Sequence, residues 1–274
     1  MRYKEKNRWW IPVIIGIGVL ILGMVLVELG FSYTKRKWDG RSRFTVIDIR
    51  NPITIWSTDT GDTILLKFVL PDELDVPTIG KGRWVAKSLP ELAKIHGVTW
   101  VADSLTAYLG VPYTGVLGKM GFWDELSWRL VSRGKNIEEV KIADSNLVIE
   151  KTAPDGLITY SLSSLWKKKA GDLFFSAQLA ASGWRLAVFN PTGVSGLGAK
   201  VARIAETAGY KVVSLAEGKE KPENCIVQSH PDQKTKLGVV WLVGYFNCDL
   251  IENPRMGNLE IELILGDRFA LWAD

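Results

Sequence analysis

The chain has 274 residues, of which 47% are hydrophobic and 23% charged, and its 34 basic and 30 acidic side chains leave a net charge of only +4. The two signs are interspersed, whereas a nucleic-acid-binding protein carries Lys and Arg clustered on one face, so no nucleic-acid partner is expected. The length allows one membrane anchor and one or two domains of ordinary size.

An apolar run near the N-terminus predicts a membrane anchor. Residues Ile11 to Val27 carry no charge, and apolar character continues to Phe31. About 20 helical residues span the ~30 Å hydrocarbon core, and the run is longer than the roughly 7–15-residue core of a signal peptide and lacks an A-x-A-like site after it. We therefore predict a basic segment at residues 1–10 and a permanent, single-pass transmembrane helix at residues 11–31. Basic residues flank both ends, so the positive-inside rule gives no orientation.

The next part of the chain predicts a mixed α/β region over residues 38–150. Short β-branched and aromatic runs separated by turn residues are typical of strands, and apolar residues at helical spacing that stop at glycine are typical of helices. The predicted strands lie at 44–49, 53–56, 63–70 and 146–149, and the predicted helices follow Ser88 and cover 101–109 and 122–131. Residues 151–183 are interpreted as a connector, with a helical stretch from 165 to 183.

The last part predicts a small α/β domain over residues 184–274. Strands are expected at 184–189, 211–215, 225–228 and 259–265, with helices at 197–208 and 232–246 between them. Strands that alternate with helices build βαβ-type units. The fold class is therefore α/β, with an N-terminal transmembrane helix, a mixed α/β region and a small βαβ-type C-terminal domain.

A glycine-rich turn precedes the helix at 197–208. Its spacing, Gly193-Val-Ser-Gly196-Leu-Gly198, matches neither the dinucleotide fingerprint nor the phosphate-binding loop. A bound anion at the helix N-terminus is one interpretation, and a tight turn that needs positive φ is the favoured one. Asn190, Thr192, Gly193 and Gly196 are the candidate binding residues, and no cofactor is expected.

Catalytic and metal-binding patterns are absent from the sequence. His96 and His230 are isolated, no Cys or His pair has ligand spacing, and there is no G-x-S-x-G motif. One group of carboxylates is the candidate metal or acid/base cluster, namely Asp59, Asp62, Asp72, Glu73 and Asp75. Its spacing is not that of an EF-hand, and loop acids on a solvated surface are the favoured interpretation. We expect no metal site.

Several separated segments of the C-terminal part resemble one family. The run Leu186-Ala-Val-Phe-Asn190-Pro-Thr192-Gly193-Val-Ser-Gly196-Leu197 is similar to the opening of the LytR C-terminal domain, and Ala208 to Val212 and Ile264 to Asp267 are similar to its later segments. The resemblance covers about Trp184 to Phe269. Gly198 departs from it, since the family usually has Ala there.

Upstream, residues Asp62 to Pro71 resemble the Ser-Asp-Thr strand of the LytR–CpsA–Psr enzymes, which transfer polyisoprenoid-linked glycopolymers to the cell wall. In those enzymes an Arg-Asp pair follows this strand and binds pyrophosphate with Mg²⁺. This chain has Asp72-Glu73 there, and Asp59-Thr60-Gly61 replaces the Arg that usually precedes the strand. Pyrophosphate recognition needs fixed cationic donors. The resemblance therefore implies a degenerate domain at 38–150 with no catalytic residue.

The resemblance implies that the soluble portion lies outside the cytoplasm, attached to the cell membrane. The first functional hypothesis is a non-enzymatic, envelope-associated binding or scaffolding protein whose partner is a cell-wall glycan or an envelope protein. The alternative is an active glycopolymer transferase of LytR–CpsA–Psr type. A plain structural membrane protein is the third.

The two cysteines permit two interpretations. Buried free thiols are one, because Cys packs well as a small hydrophobe. Cys225 begins a predicted strand and Cys248 follows the next predicted helix, so both are expected at the same edge of the domain. A disulfide between Cys225 and Cys248 is the other, and an oxidising compartment would let it persist.

Overall fold

The computed structural model describes residues 36–272 apart from 144, 153–155 and 219, together with residues 14, 15, 17–20, 23, 24, 27, 28, 30 and 33. The predicted basic segment 1–10 lies outside the described residues. The predicted span 11–31 is described in part, and its described residues are helical and exposed. No helix within the described part of the chain is long and apolar enough to cross a bilayer. The transmembrane span stays a prediction.

The first domain is built on a five-stranded mixed sheet in the order β6-β1-β2-β3-β7. Its strands are β1 (Phe44–Asp48), β2 (Thr54–Thr58), β3 (Ile64–Val69), β6 (Gly115–Val116) and β7 (Asn136–Lys141). The three central strands form an antiparallel meander, and β6 and β7 add to it in parallel. Two hairpins stand beside this sheet, β4 (Asp75–Thr78) with β5 (Gly82–Val85) and β8 (Val148–Thr152) with β9 (Ile158–Leu162).

Helices cover both faces of this sheet, because successive side chains along its strands point to opposite faces and both faces are apolar. On one face, Phe44 and Val46 pack with Trp38 and Trp128. The opposite face, which includes Ile47, forms the larger core. The helices of this domain are α1 (Leu89–His96), α2 (Val98–Leu109), α3 (Phe122–Ser132) and α4 (Leu165–Phe174). The short helix α5 (Ala177–Ala181) follows and contributes Leu179 to the core of the second domain.

The segment 151–183 contributes to the core of the first domain. Trp166 and Phe174 of α4 are both fully buried, and their rings lie 5.1 and 5.7 Å from the ring of Phe68 in β3. The sequence predicted a connector here because the exposed lysines of α4 dominate its composition. The apolar residues of α4 nevertheless pack this helix against the first sheet.

The second domain has a five-stranded sheet in the order β11-β10-β14-β12-β13. Its elements are β10 (Arg185–Phe189), α6 (Leu197–Ala208), β11 (Lys211–Ala216), β12 (Ile226–Ser229), α7 (Leu237–Phe246), β13 (Asp249–Glu252) and β14 (Glu260–Ile264). Helix α6 joins the parallel pair β10 and β11, and α7 joins the parallel pair β12 and β13. Strand β14 lies between these units, parallel to β10 and antiparallel to β12. The mixed α/β class is confirmed.

Arg203 of α6 binds the C-terminal end of α2 and so joins the domains. Its Nη2 donates to the carbonyls of Ala107 at 2.9 Å and Tyr108 at 2.7 Å. The last carbonyls of a helix have no partner within the helix and carry partial negative charge, so a guanidinium stabilises them. Gly110 ends α2 at φ +68°, and a Cβ there would collide with the Arg203 side chain.

A disulfide joins Cys225, before β12, to Cys248, after α7, with their Cα atoms 4.7 Å apart. Both cysteines are buried in the core of the second domain. The bond ties the entry of β12 to the exit of α7. The covalent closure therefore limits how far α7 can move along the sheet.

Replacing Gly110 by Ala tests the contact between α2 and α6. Gly110→Ala and Gly118→Ala both place a side chain at positive φ, which costs about 1–2 kcal/mol. Only the first displaces Arg203, since nothing lies within 4 Å of a Cβ at Gly118. We expect Gly110→Ala to lower the free energy of unfolding by a further ~1.5–3 kcal/mol, the value of hydrogen bonds to a charged group. Urea unfolding of the full chain in detergent measures both, and equal losses would show that Arg203 does not join the domains.

Candidate functional site

A cavity of about 810 Å³ lies between the two domains. One wall comes from α2 and from residues 36–45. The other comes from α7 and from the 3₁₀ helix Asp267–Trp272. Aromatic rings supply much of the lining, among them Trp38, Trp100, Tyr113, Trp241, Tyr245 and Trp272.

The aromatic wall on α7 follows from helical spacing. Trp241 and Tyr245 lie one turn apart, and their rings stack with centroids 4.7 Å apart and planes 6° from parallel. Gly244 beside them has no side chain, which leaves that part of the cavity open. The ring of Tyr113 stands 6.5 Å from that of Tyr245 and carries the apolar surface across to the first domain.

One partly buried carboxylate in this largely apolar cavity, that of Asp103, is hydrogen-bonded to a tyrosine. The Tyr113 hydroxyl donates to Asp103 Oδ1 at 2.8 Å. Burial raises the pKa of the Asp103 carboxyl, and the Tyr113 hydrogen bond and the charges of Lys37 and Arg268 oppose that rise only in part. Burial also raises the pKa of Tyr113, so this hydroxyl stays protonated and remains a donor. The hydrogen-bonded pair of Asp103 and Tyr113 is therefore a polar group in the wall of a largely apolar cavity.

Cations outnumber acids around the cavity. Arg36, Lys37, Arg43 and Arg268 line it, against Asp39 and Asp103. Arg43 is already engaged, because its Nε donates to Ser57 Oγ at 2.8 Å. Arg268 donates to the carbonyl of Phe246. Arg36 and Lys37 are exposed, so they are the cations available to a charged group at the mouth.

A second cavity of about 600 Å³ adjoins the first and shares Ile79 and Trp272 with it. Ile79 and Trp272 therefore divide the two cavities, and hydrogen bonds hold the backbone of both residues. The carbonyl of Ile79 accepts from Trp100 Nε1 at 2.9 Å, and the carbonyl of Trp272 accepts from Lys200 Nζ at 3.1 Å. The position of the divider between the cavities is therefore set by hydrogen bonds from α2 and α6.

The second cavity is strongly cationic. Its described lining includes no Asp or Glu, while five basic side chains line it, namely Arg83, Lys151, Lys167, Lys200 and Arg203. Three serine hydroxyl groups add hydrogen-bonding capacity, those of Ser161, Ser163 and Ser164. Two of the five are in ion pairs, Arg83 with Asp75 at 2.9 Å and Lys167 with Glu206 at 3.6 Å.

The residues that the sequence proposed for binding form a turn between β10 and α6. Asn190 Nδ2 donates to the carbonyl of Val194 at 2.8 Å, and Thr192 Oγ1 donates to Asn190 Oδ1 at 2.6 Å. Gly193 and Gly196 take φ values of +76° and +77°. These four residues line neither cavity. A binding role for them stays a prediction.

The predicted surface acids take different positions. Asp59 is buried, and its carboxylate accepts from the backbone N–H of Ala177 at the start of α5 at 3.2 Å. The prediction of a solvated acid is wrong for Asp59, because this carboxylate caps a helix of the adjoining segment. Within the described residues no three His, Cys, Asp or Glu side chains come together as a metal site.

Sequence reasoning missed the residues that line the two cavities. The twelve Trp residues are a visible signal, but their number alone does not assign any of them to a site. The i, i+4 spacing of Trp241 and Tyr245 marks one aromatic helix face. Nothing local pairs that face with Trp100 and Asp103 of the first domain.

No protein-family profile matches the chain, and no curated protein does. Partial likenesses exist to solved structures of LytR–CpsA–Psr proteins. TagU of B. subtilis shows 17% identity and a TM-score of 0.23 over 27% of this chain, which spans about a third (32%) of that structure. TagT (YwtF) with bound octaprenyl pyrophosphate lipid shows 9% identity and a TM-score of 0.33 over 49% of this chain and 91% of that one. A crystal structure of B. subtilis TagT shows 10% identity and a TM-score of 0.33 over 50% of this chain and 93% of that one.

These neighbours belong to the family that the sequence resembles. At such identities and scores the likeness concerns the course of part of the backbone, and no residue's role is transferred from those proteins to this chain. What the cavities bind is therefore argued from their own residues.

Replacing Asp103 by Asn tests the partly buried carboxylate. Because the pKa of Asp103 is raised in the folded state, its contribution to stability is most favourable while it is protonated and is lost as the pH rises from the ordinary Asp pKa of about 3.9 through the folded value. Asp103→Asn keeps an oxygen acceptor for Tyr113 and removes the charge. We expect the variant to unfold at a higher temperature than the wild type at pH 7, with the difference closing toward about pH 3.

Thermal unfolding of the full chain across this pH range checks the expectation. Asp267→Asn is the control, because the Asp267 side chain is 59% exposed and pairs with Lys221 on the surface. A wild type that is more stable than Asp103→Asn at pH 7 would contradict the expected cost of the buried charge.

Proposed function

We propose that this protein is anchored in the cell membrane, faces the extracytoplasmic side, and binds an anionic amphiphile of the cell envelope without turning it over. One observation carries the proposal. An aromatic cavity adjoins a cationic one, and the two share Ile79 and Trp272 in their walls.

The first cavity suits the apolar part of such a ligand. Its volume of about 810 Å³ falls within the range of roughly 300–1,000 Å³ that is typical of ligand sites. Burial of apolar surface is worth about 25 cal/mol per Å², and flat rings supply that surface with little loss of side-chain entropy. The stacked pair Trp241 and Tyr245 is already ordered before a ligand enters.

The second cavity suits the anionic part. The lysines of its lining, Lys151, Lys167 and Lys200, bring mobile positive charges that suit phosphate oxygens. With no carboxylate among its described lining residues, this cavity attracts an anion of more than one charge. Asp103 lies in the first cavity instead, where it would repel such a group. The aromatic lining of the first cavity therefore suits the apolar part of the ligand, and the basic lining of the second suits its anionic part.

The place of the first cavity along the chain supports delivery from the membrane. Tyr33, Arg36 and Lys37 line it, and the apolar run that predicts the anchor ends at Phe31. A ligand dissolved in the bilayer would meet this lining within a few residues of the anchor. A prenyl pyrophosphate has the required composition, and the TagT structure contains one, so it serves as the probe.

The alternative function is glycopolymer transfer of LytR–CpsA–Psr type. After β3 the chain has Asp72 and Glu73 where the resemblance expects an Arg-Asp pair. Two adjacent carboxylates repel a pyrophosphate instead of holding it. We therefore propose binding without cleavage. Cleavage of the pyrophosphate bond in a lipid-linked glycan, in the presence of Mg²⁺, would support the alternative.

Filling the first cavity tests the proposed binding. Gly244 lines it within α7, and nothing lies within 4 Å of a Cβ placed there. Gly244→Phe sends a ring into the space that the prenyl chain would occupy. We expect affinity for octaprenyl pyrophosphate to fall about tenfold or more, a loss of ~1.4 kcal/mol, as measured by quenching of tryptophan fluorescence in the full chain held in detergent micelles.

Two control variants separate binding from folding. Gly171 of α4 has the same open surroundings and lies outside both cavities, so Gly171→Phe should bind normally. Gly244→Phe and Gly171→Phe both raise helix propensity. Loss of helix therefore cannot explain a difference in binding between them. Lys151→Glu in the second cavity should weaken the pyrophosphate but not an uncharged prenol, while Lys211→Glu on the exposed edge strand β11 should weaken neither. Equal binding by Gly244→Phe and the wild type would contradict the proposal.

Protease accessibility tests the proposed topology. Protease added to spheroplasts should digest residues 38–274, because the proposal places them outside the cytoplasmic membrane. A cytoplasmic protein followed in the same sample serves as the control for intact cells. Full protection of this segment until the membrane is lysed would show the opposite orientation.

A further inference from the structure

Helix α3 presents a stripe of apolar side chains to solvent. Phe122, Leu126 and Leu130 are 59%, 38% and 63% exposed, and they stand at positions i, i+4 and i+8 of one helix face. The opposite face is buried through Asp124 and Trp128. A helix with one buried face needs no second apolar face for the fold, so the exposed stripe calls for its own explanation.

The chain that follows the predicted span is fixed to α3. The carboxylate of Asp124 accepts from the backbone N–H of Lys37 at 3.0 Å and from that of Trp38 at 3.0 Å. The rings of Tyr33 and Trp123 meet edge to face at 5.4 Å. Lys37 comes six positions after Phe31, where the apolar run ends, and an extended chain over six positions reaches about 20 Å at most. Helix α3 therefore lies within that distance of the end of the predicted span.

Basic residues accompany the stripe. Lys119 precedes α3 and Arg133 follows it, and both are exposed. Arg129 lies on the exposed side and pairs with Glu125 at 3.2 Å. An amphipathic helix with bulky apolar residues on one side and Lys or Arg around it is typical of a segment that lies in the interface of an anionic membrane.

We propose that α3 lies flat in the membrane interface, with Phe122, Leu126 and Leu130 against the acyl chains and the basic residues at the lipid phosphates. The occupant of the stripe is the lipid surface itself. This proposal rests on the anchoring proposed above and goes beyond it, because it gives the first domain a second attachment and a defined orientation. Lys37 and Trp38, held by Asp124, also line the first cavity, so this orientation turns the mouth of that cavity toward the bilayer.

Site-directed spin labelling of the full chain in vesicles of phosphatidylethanolamine and phosphatidylglycerol tests the proposal. The native cysteines are joined in the disulfide, so one introduced cysteine takes the label. In Leu130→Cys we expect collisions with oxygen, relative to a water-soluble nickel chelate, to be severalfold more frequent than in Leu215→Cys. Leu215 is the matched control, an exposed leucine on β11 of the second domain. Val19→Cys reports on the predicted span.

The three labels separate the two proposals. A lipid environment at positions 130 and 19 and water at 215 supports the inference. Water at 130 with lipid at 19 overturns the inference and leaves the anchoring intact. Water at both 130 and 19 overturns the anchoring and the inference together. A label at 130 that neither reagent reaches indicates a protein partner on the stripe, which also overturns the inference.

Discussion

The guanidinium of Arg203 holds the two domains in the arrangement on which both cavities depend. It binds the last carbonyls of α2, the helix that carries Trp100 and Asp103, and it does so from α6, a helix of the other domain. Hydrogen bonds to a charged group are worth about 1.5–3 kcal/mol, which is a large share of a typical folding stability of 5–15 kcal/mol. The absence of a side chain at Gly110 is the condition for this contact. The missing side chain at Gly110 thus leaves room for a contact that stabilises the arrangement of the two cavity walls.

Local sequence patterns were sufficient to predict the elements in which the spacing of apolar residues agrees with the end signals. The alternation at Phe44 to Ile49 predicted β1, and the apolar spacing from Leu197 with Gly209 as its end predicted α6. Strand β7 was missed because Asn136 to Lys141 is polar and exposed, so no apolar period marks it. It exists because the edge of β3 pairs with it along six residues. Pairing with a neighbour, which the local sequence does not carry, supplied that strand.

Local sequence patterns could not predict the candidate site, for a similar reason. Each cavity is lined by segments that lie far apart along the chain, and their proximity follows from the docking of α6 on α2. The turn with Asn190 and Gly193 attracted attention because it resembles a motif, yet its polar groups bond to one another. The sequence predicted a connector at residues 151–183, and Lys167 of that segment lines the cationic cavity from a position exposed to solvent.

The disulfide between Cys225 and Cys248 has a consequence for the time at which the first cavity is completed. Helix α7, which carries Trp241, Gly244 and Tyr245, ends at Phe246, two positions before the bonded Cys248. Such a bond forms and persists only where an oxidant is present. The packing of α7 forms the cavity wall, and the covalent restraint on that wall is complete once an oxidant has closed the bond.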